Sequence, residues 1–491
     1  KVINQIGESS STQLASKKVR GLLALESPRV RFAPAPSGYL HVGSARSALF
    51  NWLFAKRFNG TFILRIEDTN ADLAKPEFYE AITMPLEWLG LRWDEGPYYQ
   101  SQRTEKYIEA VTNLVDSKLA YCCECTREAI DERNKETGFR GGYDGYCRDH
   151  EVQDGPGVTI RFKTPKTGIV EIDDLIRGKV QFQNSELEDF VIRRGNGTPV
   201  FLVANAVDDA DMRITHVIRG EDLLNTTPKV ILLWEALGFG VPPKYAHLPL
   251  LVGDDRKKLS KRRHSVALSD FQSQGILPEA MTNYLALLGW GPPDEKEIRP
   301  IDEITDLFDL ENVNKSPAFF DEKKLRHING EYIRALPSED FAALANNHFE
   351  KIGWQPENLN LKALINLAPD LQERTEILTD LKPLVDWIFE EKIPEEKNEK
   401  EIKKIDKAMR SEKVVEVLDL AIEQLQTCSW DEKSIGEVIS GVGETLSARS
   451  QVPVRIAVTG RRVGLPLYKP MAIVDRSLII KRLIDTRSKL T

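Results

Sequence analysis

The stretch "HVGS", His41 to Ser44, holds residue types that can bind a phosphate group. His41 and Ser44 can donate hydrogen bonds to phosphate oxygens, and Gly43 leaves room for a ligand close to the backbone. A strand-like run precedes the stretch and a helical pattern follows it, so the N-terminus of a helix would add its own attraction for anions. By itself such a pattern is more often a structural turn, and a second signal is needed.

The second signal is "RKKLSKRR", Arg256 to Arg263, which places six basic residues in eight positions of a chain whose net charge is −8. Such a run is usually a solvated surface or a targeting patch. Lys258 and Lys261 could instead bring ammonium groups to the charge that develops on a phosphoryl group and its departing pyrophosphate. Ser260 offers a hydroxyl and a tight turn. Other parts of the sequence are needed to tell whether this stretch is a solvated surface run or a loop that binds a polyphosphate.

Residues 29–68 predict the strand–helix–strand unit that would position the first motif. "VRFAP" is a short apolar strand, "GYLHVGSARSALFNWLFAKR" has apolar residues at helical spacing, and "TFILRIED" is rich in strand formers. Such a unit seeds a parallel sheet that binds ligands at the carboxyl ends of its strands. Neither GxGxxG nor GxxxxGK[ST] occurs, so a nucleotide would not use either of those glycine-rich loops.

The later sequence predicts an interruption of this alternation and then a helical region. Residues 100–195 carry a cysteine cluster and a β-rich stretch, after which "PVFLVANAVDD" and "ITHVIRGEDLL" give sheet-like signals and "TPKVILLWEALG" gives a helix. From about Leu336 onward the pattern is amphipathic helix almost throughout. The fold class expected is therefore α/β with a helical C-terminal part.

Composition limits the kinds of partner and compartment. The sequence pI of 5.7 gives no general attraction to nucleic acid, so an RNA partner would have to be met by local basic patches. No apolar run reaches the length of a membrane span, which predicts no contact with a membrane. Five cysteines in 491 residues, four of them in one segment, indicate a reducing compartment rather than a disulfide framework.

The two motifs together resemble the paired signatures of class I aminoacyl-tRNA synthetases, usually written HIGH and KMSKS. The stretches "VRFAPAPSGYLHVGSARSALFNW", "FILRIEDTN", "VDDADMRITHVIRGEDLLNTTPK" and "FFDEKKLRHINGEYI" resemble bacterial-type glutamyl-tRNA synthetase. The resemblance runs from about Arg29 to the C-terminus and is densest up to about Arg334. It implies a Rossmann-like catalytic domain with an inserted subdomain, followed by an all-helical anticodon-binding region, and it makes the basic stretch a catalytic loop.

The reaction that the resemblance implies has two steps. The carboxylate of glutamate attacks the α-phosphate of ATP to give glutamyl-adenylate and pyrophosphate, and the terminal adenosine of tRNA(Glu) then takes the acyl group. No protein nucleophile is needed, so positioning and electrostatic stabilisation would supply catalysis, with Mg²⁺ neutralising the polyphosphate. The residues implied in catalysis are His41, Gly43, Ser44, Lys258, Ser260 and Lys261, of which His41, Gly43, Lys258 and Lys261 would bind ATP.

The resemblance also implies a pocket for glutamate. Its lining would be Arg31, Ala33, Ala35, Glu67, Phe201, Asn205 and Arg219. Arg219 matches the arginine that binds the side-chain carboxylate and Glu67 the acid that binds the amino group, although the two residues could also be a structural ion pair. Phe201 and Ala35 stand where the family often has a tyrosine and a serine. Each departure removes a hydroxyl group from the pocket.

The cysteine cluster raises the question of a metal. Cys123, Cys125, Cys147 and His150 could supply four ligands to a structural Zn²⁺, as in some members of the family. The C-x-C spacing is tighter than the usual one, and Asp149 stands where the family places the histidine. Buried thiols without a metal are the alternative that the sequence leaves open.

The expected tRNA contacts lie in the helical region. No acidic residue occurs between Thr445 and Val474, and the resulting basic stretch predicts phosphate or anticodon contacts or, alternatively, a basic surface without a partner. The residues expected to bind tRNA are Arg374, Arg449, Arg461 and Arg462. The domains expected are an N-terminal extension (1–28, flexible), the two halves of the catalytic domain (29–99 and 196–240), the inserted acceptor-binding subdomain (100–195), the KLSKR and stem-contact region (241–335) and the anticodon-binding domain (336–491).

Two rival functions share some of these signals. A glutaminyl-tRNA synthetase would have both motifs but should end in β-barrels, whereas this C-terminal third predicts helices. A non-catalytic RNA-binding protein descended from a synthetase would be expected to have lost His41, Lys258 or Lys261, and all three are present. The sequence therefore predicts a cytoplasmic, monomeric glutamate–tRNA ligase whose substrates are L-glutamate, ATP and tRNA(Glu).

Overall fold

The structure is a computed structural model that describes residues 27–69, 75–138, 142–259, 266–393 and 398–490. Most of the expected N-terminal extension, and Ser260 and Lys261 of the basic loop, lie outside these residues. The chain divides into two compact units, one formed by the residues up to Asp270 with Met281–Asp321, the other by Phe271–Ala280 with Glu322–Thr491. Among the described helices, none combines the length and the apolar character that crossing a bilayer would require.

The regular elements are numbered in chain order. The strands are β1 Arg29–Phe32, β2 Thr61–Ile66, β3 Glu95–Tyr99, β4 Ala120–Cys123, β5 Thr159–Phe162, β6 Ile169–Asp174, β7 Gly178–Gln183, β8 Val191–Arg193, β9 His216–Gly220, β10 Lys244–Leu248, β11 Leu251–Val252 and β12 Ala318–Phe319. The helices of the first half are α1 Val42–Arg57, α2 Pro76–Trp88, α3 Thr104–Asp116, α4 Arg127–Thr137, α5 Phe201–Asp211, α6 Thr227–Ala236, α7 Leu268–Gln274, α8 Pro278–Leu287 and α9 Ile301–Leu307. Those that follow are α10 Glu322–Arg334, α11 Ser338–Lys351, α12 Leu361–Gln372, α13 Leu381–Phe389, α14 Glu399–Met409, α15 Val414–Leu425, α16 Glu432–Leu446, α17 Gln451–Thr459, α18 Tyr468–Ile473 and α19 Arg476–Ser488.

The predicted strand–helix–strand unit at the start of the first compact unit is confirmed. Strands β1, β2 and β3 form a parallel sheet, with Val30 opposite Phe62, and α1 connects the first two strands. Leu49, Phe50, Leu53 and Phe54 on α1 are buried, as their helical spacing predicts. A second parallel pair, β9 and β10, follows later in the chain, and β9 lies beside β1 because the Arg29 carbonyl accepts a hydrogen bond from Thr215 N at 2.9 Å.

The interruption expected within residues 100–195 is also confirmed as β-rich. Strands β4, β5 and β8 form an antiparallel sheet, and β6 and β7 form a separate antiparallel hairpin. Alternate residues of β6 are buried, which is the pattern of a strand with one face on a core. This insertion separates the two parts of the parallel β-structure along the chain.

The interpretation of "PVFLVANAVDD" as sheet-like was wrong, because this segment forms helix α5. Its polar residues explain the outcome. Asn205, Asp208 and Asp209 recur at the i, i+3 and i+4 positions of one helical face, where buried donors from other elements meet them. In a strand, Asp208 and Asp209 would point to opposite faces, so one of them would lack these partners. An apolar run alone does not distinguish a buried helix from a buried strand.

Every regular element that the structure describes from Glu322 to Ser488 is helical, which confirms the prediction for the C-terminal part. Phe341, Ala345 and Phe349 on α11 face Leu364 and Leu367 on α12, and all five side chains are fully buried. The helical region therefore has a core of its own. Its described residues, 322–393 and 398–490, form none of the β-barrels expected of a glutaminyl-tRNA synthetase.

A close backbone approach in the second unit gives a test of this packing. Gly275 has a φ of +84°, and a Cβ added there would lie 2.7 Å from Leu378 N and 2.9 Å from Leu378 Cα. We expect Gly275→Ala to lower the free energy of unfolding by about 2 kcal/mol or more, because left-handed strain and a backbone clash add together.

Gly353 offers the matched control, since its φ is +69° and nothing lies within 4 Å of an added Cβ. Gly353→Ala should cost only about 1 kcal/mol, the strain alone. The measurement is urea unfolding followed by circular dichroism. Equal losses in the two variants would contradict the close approach at Leu378.

Candidate active site

A cavity of about 570 Å³ lies in the first unit, beyond the carboxyl ends of β1, β2 and β9. This is the place where parallel sheets bind ligands. Of the residues predicted for the site, those lining the cavity are Arg31, Ala33, Ala35, His41, Gly43, Ser44, Glu67, Asn205, Arg219 and Lys258. Residues separated by more than 200 positions are thus brought to one place by the sheet.

The "HVGS" motif forms the beginning of helix α1. His41 is the N-cap residue, and its Nδ1 accepts a hydrogen bond from Ser44 N at 3.3 Å. Since Nδ1 accepts, the proton of the neutral ring lies on Nε2, 3.1 Å from Ser44 Oγ. A Cβ on Gly43 would lie 3.2 Å from both Nδ1 and Cε1 of His41. Only glycine therefore allows the imidazole ring to lie here without steric crowding. The motif therefore places the Nε2 donor of His41 at the N-terminus of a helix, whose dipole favours an anion.

The described part of the basic stretch begins the opposite wall of the cavity. Leu259 N donates to Leu251 O at 2.9 Å, and Val252 and Lys258 form a bridge between antiparallel segments. Lys258 Nζ lies 2.9 Å from Asp222 Oδ2. The Lys258 side chain is 59% exposed and the Asp222 side chain 50%. An exposed pair of this kind is worth about 1 kcal/mol or less, so an incoming polyphosphate could replace Asp222.

Buried charges form the floor of the cavity. Asp209 on α5 accepts from Arg31 Nε at 3.1 Å and from Arg65 Nη1 at 2.6 Å, and the three side chains are almost completely buried. Arg65 Nη2 also lies 3.2 Å from Glu67 Oε1. Burial alone would raise the pKa of Asp209, but Arg31 and Arg65 together lower it. Asp209 is therefore held as a carboxylate between two guanidinium groups.

Glu67 remains available to the cavity. Its side chain is 17% exposed and lines the cavity, and Arg65 is the cation beside it. Burial raises the pKa of Glu67, although Arg65 and Arg31 act in the opposite direction. The alternative of an ion pair between Glu67 and Arg219 is not what the structure shows. Glu67 pairs with Arg65, and Arg219 has other partners.

Arg219 is a buried cation with neutral partners. Its Nε donates to His247 Nε2 at 3.3 Å, and its Nη2 donates to Thr227 Oγ1 at 2.8 Å and to the carbonyl of Leu223 at 3.3 Å. No carboxylate in the described ranges lies within salt-bridge distance of it, and burial lowers its pKa. The side chain lines the cavity. Such a group is prepared to receive an anionic side chain.

Phe201 differs from the expectation for the glutamate pocket. It begins helix α5 and packs on the hydrophobic core of the first unit, and it is not part of the cavity lining, whereas Asn205 one turn later is. The prediction of Phe201 as a pocket residue followed from the resemblance alone.

Three residues of the site were missed by the sequence reasoning. Arg65 and Asp209 hold Arg31 and Glu67, and Arg46 on α1 donates to the carbonyl oxygens of Pro249 and Leu288. The first two lie within "FILRIEDTN" and "VDDADM", where charges interrupt apolar runs. A charged residue inside an apolar run is the signal that could have found them, because a buried charge requires a partner.

The cysteine cluster is assembled, but without the histidine. The sulfur atoms of Cys123, Cys125 and Cys147 lie within 4.8 Å of one another. His150 is exposed, stacks on the ring of Tyr146 and places its Nδ1 2.6 Å from the Tyr146 carbonyl. It is therefore not part of this group, and its prediction as the fourth ligand is not supported by its position.

A tyrosine hydroxyl lies beside the cysteine cluster. The buried Tyr143 hydroxyl lies 3.4 Å from Cys123 Sγ and accepts from Cys147 N at 2.8 Å. Arg161 Nε lies 3.3 Å from Cys123 Sγ, and Arg133 Nη2 lies 3.4 Å from Cys125 Sγ. Burial opposes ionisation of Cys123, but its hydrogen bonds with Tyr143 and Arg161 lower its pKa, whereas burial and the Cys147 thiol raise the pKa of Cys125 to about 12. Of these two sulfurs, Cys123 is the one favoured as a thiolate.

The predicted tRNA-binding arginines fall into two groups. Arg374 and Arg449 are exposed. Arg461, in contrast, forms a bidentate pair with the buried Asp386 at 2.5 and 2.7 Å, and Arg462 Nη1 lies 3.9 Å from Glu401. A guanidinium held in this way stabilises the helical unit, so the arginine-rich stretch is partly structural.

Comparison with known families identifies the class. The family "tRNA synthetases class I (E and Q), catalytic domain" matches residues 28–327, and the family "Anticodon binding domain" matches residues 340–486. The α/β unit, the two motifs at one cavity and the helical second unit are thus those of a class I tRNA synthetase. The expected fold class is confirmed.

Similar proteins narrow the class further. Glutamate–tRNA ligase of Frankia casuarinae is 45% identical over 470 residues, which are 94% of this chain and 98% of the relative. That of Thermobifida fusca is 46% identical over 475 residues, again 94% and 98% of the two chains. A crystal structure of a glutamate tRNA ligase from Elizabethkingia meningosepticum in complex with its amino acid superposes with a TM-score of 0.82 at 29% identity, covering 95% of this chain and 100% of that one. The chain belongs to the glutamate–tRNA ligase family, as the sequence resemblance predicted.

The contact between Gly43 and His41 gives a test of the site. Gly43→Ala should lower the rate of ATP–pyrophosphate exchange by about tenfold or more, because the new methyl group displaces the imidazole. The variant should nevertheless be at least as stable as the wild type, since alanine favours a helix over glycine by about 1 kcal/mol.

Gly441, inside α16, provides the control for this substitution. Nothing lies within 4 Å of a Cβ added there, so Gly441→Ala should stabilise its helix and leave exchange unchanged. Full exchange activity in Gly43→Ala would show that the position of the His41 ring does not matter for the reaction.

Proposed function

We propose that the chain ligates L-glutamate to tRNA(Glu) in two steps, with glutamyl-adenylate as the intermediate. The observation that carries the choice of glutamate is Arg219, a buried guanidinium at the cavity whose partners are all neutral. A glutamate carboxylate would neutralise it by charge-assisted hydrogen bonds. Glutamine would leave the buried charge unpaired, which is a costly alternative.

The opposite end of the substrate would meet the floor of the cavity. The Glu67 carboxylate is partly exposed there and can receive the α-amino group, with Asn205 beside it. Arg31 is committed to Asp209, so we propose that it acts on the substrate through the charge it places beneath the pocket. The two ends of glutamate are thereby distinguished by opposite charges at opposite sides of one cavity.

The nucleotide would lie between the helix N-terminus and the basic loop. His41 Nε2 and Ser44 Oγ donate to phosphate oxygens in this proposal, and the dipole at the N-terminus of α1 adds its attraction for the negative charge. Lys258 exchanges Asp222 for the polyphosphate, and Ser260 and Lys261, which follow it in the sequence, act on the same phosphates. Mg²⁺ bound with ATP would neutralise the polyphosphate charge.

Adenylate formation then needs only the alignment of the two substrates. The glutamate carboxylate attacks the α-phosphorus, the bond to the bridging oxygen of pyrophosphate breaks, and Lys258 with Lys261 stabilises the negative charge that moves onto the leaving group. In the second step a ribose hydroxyl of the terminal adenosine of tRNA attacks the acyl carbon and releases AMP. Neither step requires a protein nucleophile.

The partners proposed beyond the active site follow from charge and exposure. Arg374 and Arg449 are exposed and can contact tRNA phosphates or bases, whereas Arg461 and Arg462 contribute by shaping the surface.

The described cysteines are all free, which suits a reducing compartment. We propose that the chain works as a monomer in the cytoplasm.

ATP–pyrophosphate exchange tests the proposed function. Exchange should require glutamate and tRNA(Glu) together and should be far slower with glutamine. Arg219→Gln should raise the KM for glutamate by about a hundredfold or more, because charged hydrogen bonds to the substrate are lost. Arg213→Gln, at an exposed position outside the cavity lining, should behave as the wild type. Absence of exchange under all conditions would favour a non-catalytic RNA-binding protein.

We further propose that Cys123, Cys125 and Cys147 hold a structural Zn²⁺. Sulfur atoms around a tetrahedral zinc lie about 3.8 Å apart for Zn–S bonds of about 2.3 Å, which suits three sulfurs within 4.8 Å of one another. We propose the Tyr143 hydroxyl, 3.4 Å from Cys123 Sγ, as a candidate fourth ligand in place of His150. Bound zinc would cross-link the insertion around its small core.

Metal analysis of the purified protein tests the zinc proposal. We expect about one zinc per chain, retained in His150→Ala and lost in Cys125→Ser, because only the latter removes a sulfur of the cluster. Cys428→Ser is the control, as Cys428 lies in another part of the chain. A zinc content near zero in the wild type would leave the three thiols as a metal-free core.

A further inference from the structure

A buried histidine–aspartate pair lies behind Arg219, outside the lining of the cavity. His247 Nδ1 is 2.6 Å from Asp174 Oδ2, and both side chains are completely buried. Asp174 ends β6 in the insertion, whereas His247 belongs to β10 of the parallel pair. The hydrogen-bond partners of the His247 imidazole indicate the role of this pair.

The hydrogen bonds of His247 fix its protonation. A carboxylate only accepts, so the ring carries its proton on Nδ1 and donates it to Asp174. Arginine only donates, so Nε2 must be the bare nitrogen that accepts from Arg219 Nε at 3.3 Å. Thr227 Oγ1 lies 3.0 Å from the same nitrogen and can donate to it. Asp174 requires a proton on Nδ1 and Arg219 requires a bare Nε2, and together they define the neutral Nδ1–H tautomer.

This tautomer determines how the donors of Arg219 are used. Nε is held by His247, and Nη2 is held by Thr227, Thr226 and the Leu223 carbonyl. Nη1 makes no hydrogen bond to the chain in the part that the structure describes, and the side chain lines the cavity. A neutral acceptor behind the guanidinium thus orients it while leaving its charge to the ligand.

Asp174 is itself held by the turn of the β6–β7 hairpin. Its Oδ1 accepts from Ile176 N at 3.0 Å and Arg177 N at 2.8 Å, and Leu175 N donates to the Tyr245 carbonyl at 2.8 Å. The turn is therefore attached to β10 at two neighbouring points. His247 N also donates to Oδ2 at 3.1 Å, so four donors hold this carboxylate, and it cannot turn away from His247 without breaking the turn.

We propose that Asp174 and His247 are positioning residues for the glutamate side chain: Asp174 selects the His247 tautomer, and His247 aligns Arg219 toward the cavity. The proposal rests on the proposed function and deepens it, because it makes specificity for glutamate depend on a residue of the inserted subdomain. The ligand concerned is the side-chain carboxylate of the amino-acid substrate. ATP binding, which uses the opposite wall of the cavity, does not depend on the pair.

The first experiment changes one atom of the carboxylate. In Asp174→Asn, the amide oxygen can keep the turn while the amide nitrogen faces Nδ1, so the ring must move its proton to Nε2 and oppose the Arg219 N–H. We expect the KM for glutamate in tRNA-dependent exchange to rise by about tenfold or more and the KM for ATP to stay within about twofold. Asp173→Asn, the same change at the exposed neighbouring position, should leave both unchanged.

The second experiment separates positioning from packing. His247→Ala removes the acceptor and leaves a cavity, whereas His247→Gln offers a side-chain oxygen that can again accept from Arg219. We expect the alanine variant to lose glutamate affinity as Asp174→Asn does, and the glutamine variant to recover most of that loss. Thermal unfolding of all variants reports on packing alone.

The outcomes distinguish this proposal from the proposed function. If the wild type exchanges with glutamate and Asp174→Asn behaves as Asp173→Asn, the positioning role is wrong while the function stands. If the KM values for glutamate and ATP rise equally, or His247→Gln is no better than His247→Ala, the pair only attaches the hairpin to β10. A selective rise in the KM for glutamate, reversed in His247→Gln, establishes the positioning role.

Discussion

The structure of the active site depends on one buried carboxylate. Asp209, on helix α5, lies between Arg31 of β1 and Arg65 of β2, so a single anion joins the helix to two parallel strands. Removing one member of such a buried network typically costs about 3–5 kcal/mol, because the remaining charges are left without compensation. The same network supports Glu67, which follows β2 at the cavity floor. The ions that stabilise this unit therefore also hold Glu67, the residue proposed to bind the amino group of the substrate.

Arg219 shows the opposite use of a buried charge. Whereas Arg31 and Arg65 are neutralised by Asp209, Arg219 is surrounded by a neutral imidazole, two hydroxyl groups and a carbonyl. These partners satisfy part of its hydrogen-bonding capacity without cancelling its charge, and burial disfavours the unpaired cation. In the proposed function a bound carboxylate relieves this energetic cost, which would give selectivity for an acidic substrate. The insertion takes part in this arrangement through Asp174.

Much of the fold and part of the site could be predicted from the sequence. The βαβ unit, the β-rich insertion and the helical C-terminal region were predicted correctly because periodicity and strand-forming residues are local signals. Helix α5 was mistaken for a strand, since its apolar run carries no decisive period and its acidic face makes sense only beside Arg31 and Arg65. His150 was expected in the cysteine cluster by its nearness in sequence, but its ring stacks on Tyr146 instead. Phe201 was carried over from a resemblance, and its partly buried ring packs against the core.

By itself, the sequence determined which chemical groups are available, namely a histidine and a glycine at a helix start and a lysine-rich stretch. The two motifs together also determined the family. Local rules are sufficient for this, since a cap, a glycine and a turn act within a few residues of one another. Only the tertiary structure decided which arginine is neutralised and which is left for a ligand. Arg31 and Arg65 meet Asp209 across 178 and 144 positions, and Arg219 meets His247 across 28. Three arginines of equal intrinsic charge thus differ in function because burial makes the charge of each depend on the neighbours that folding brings to it.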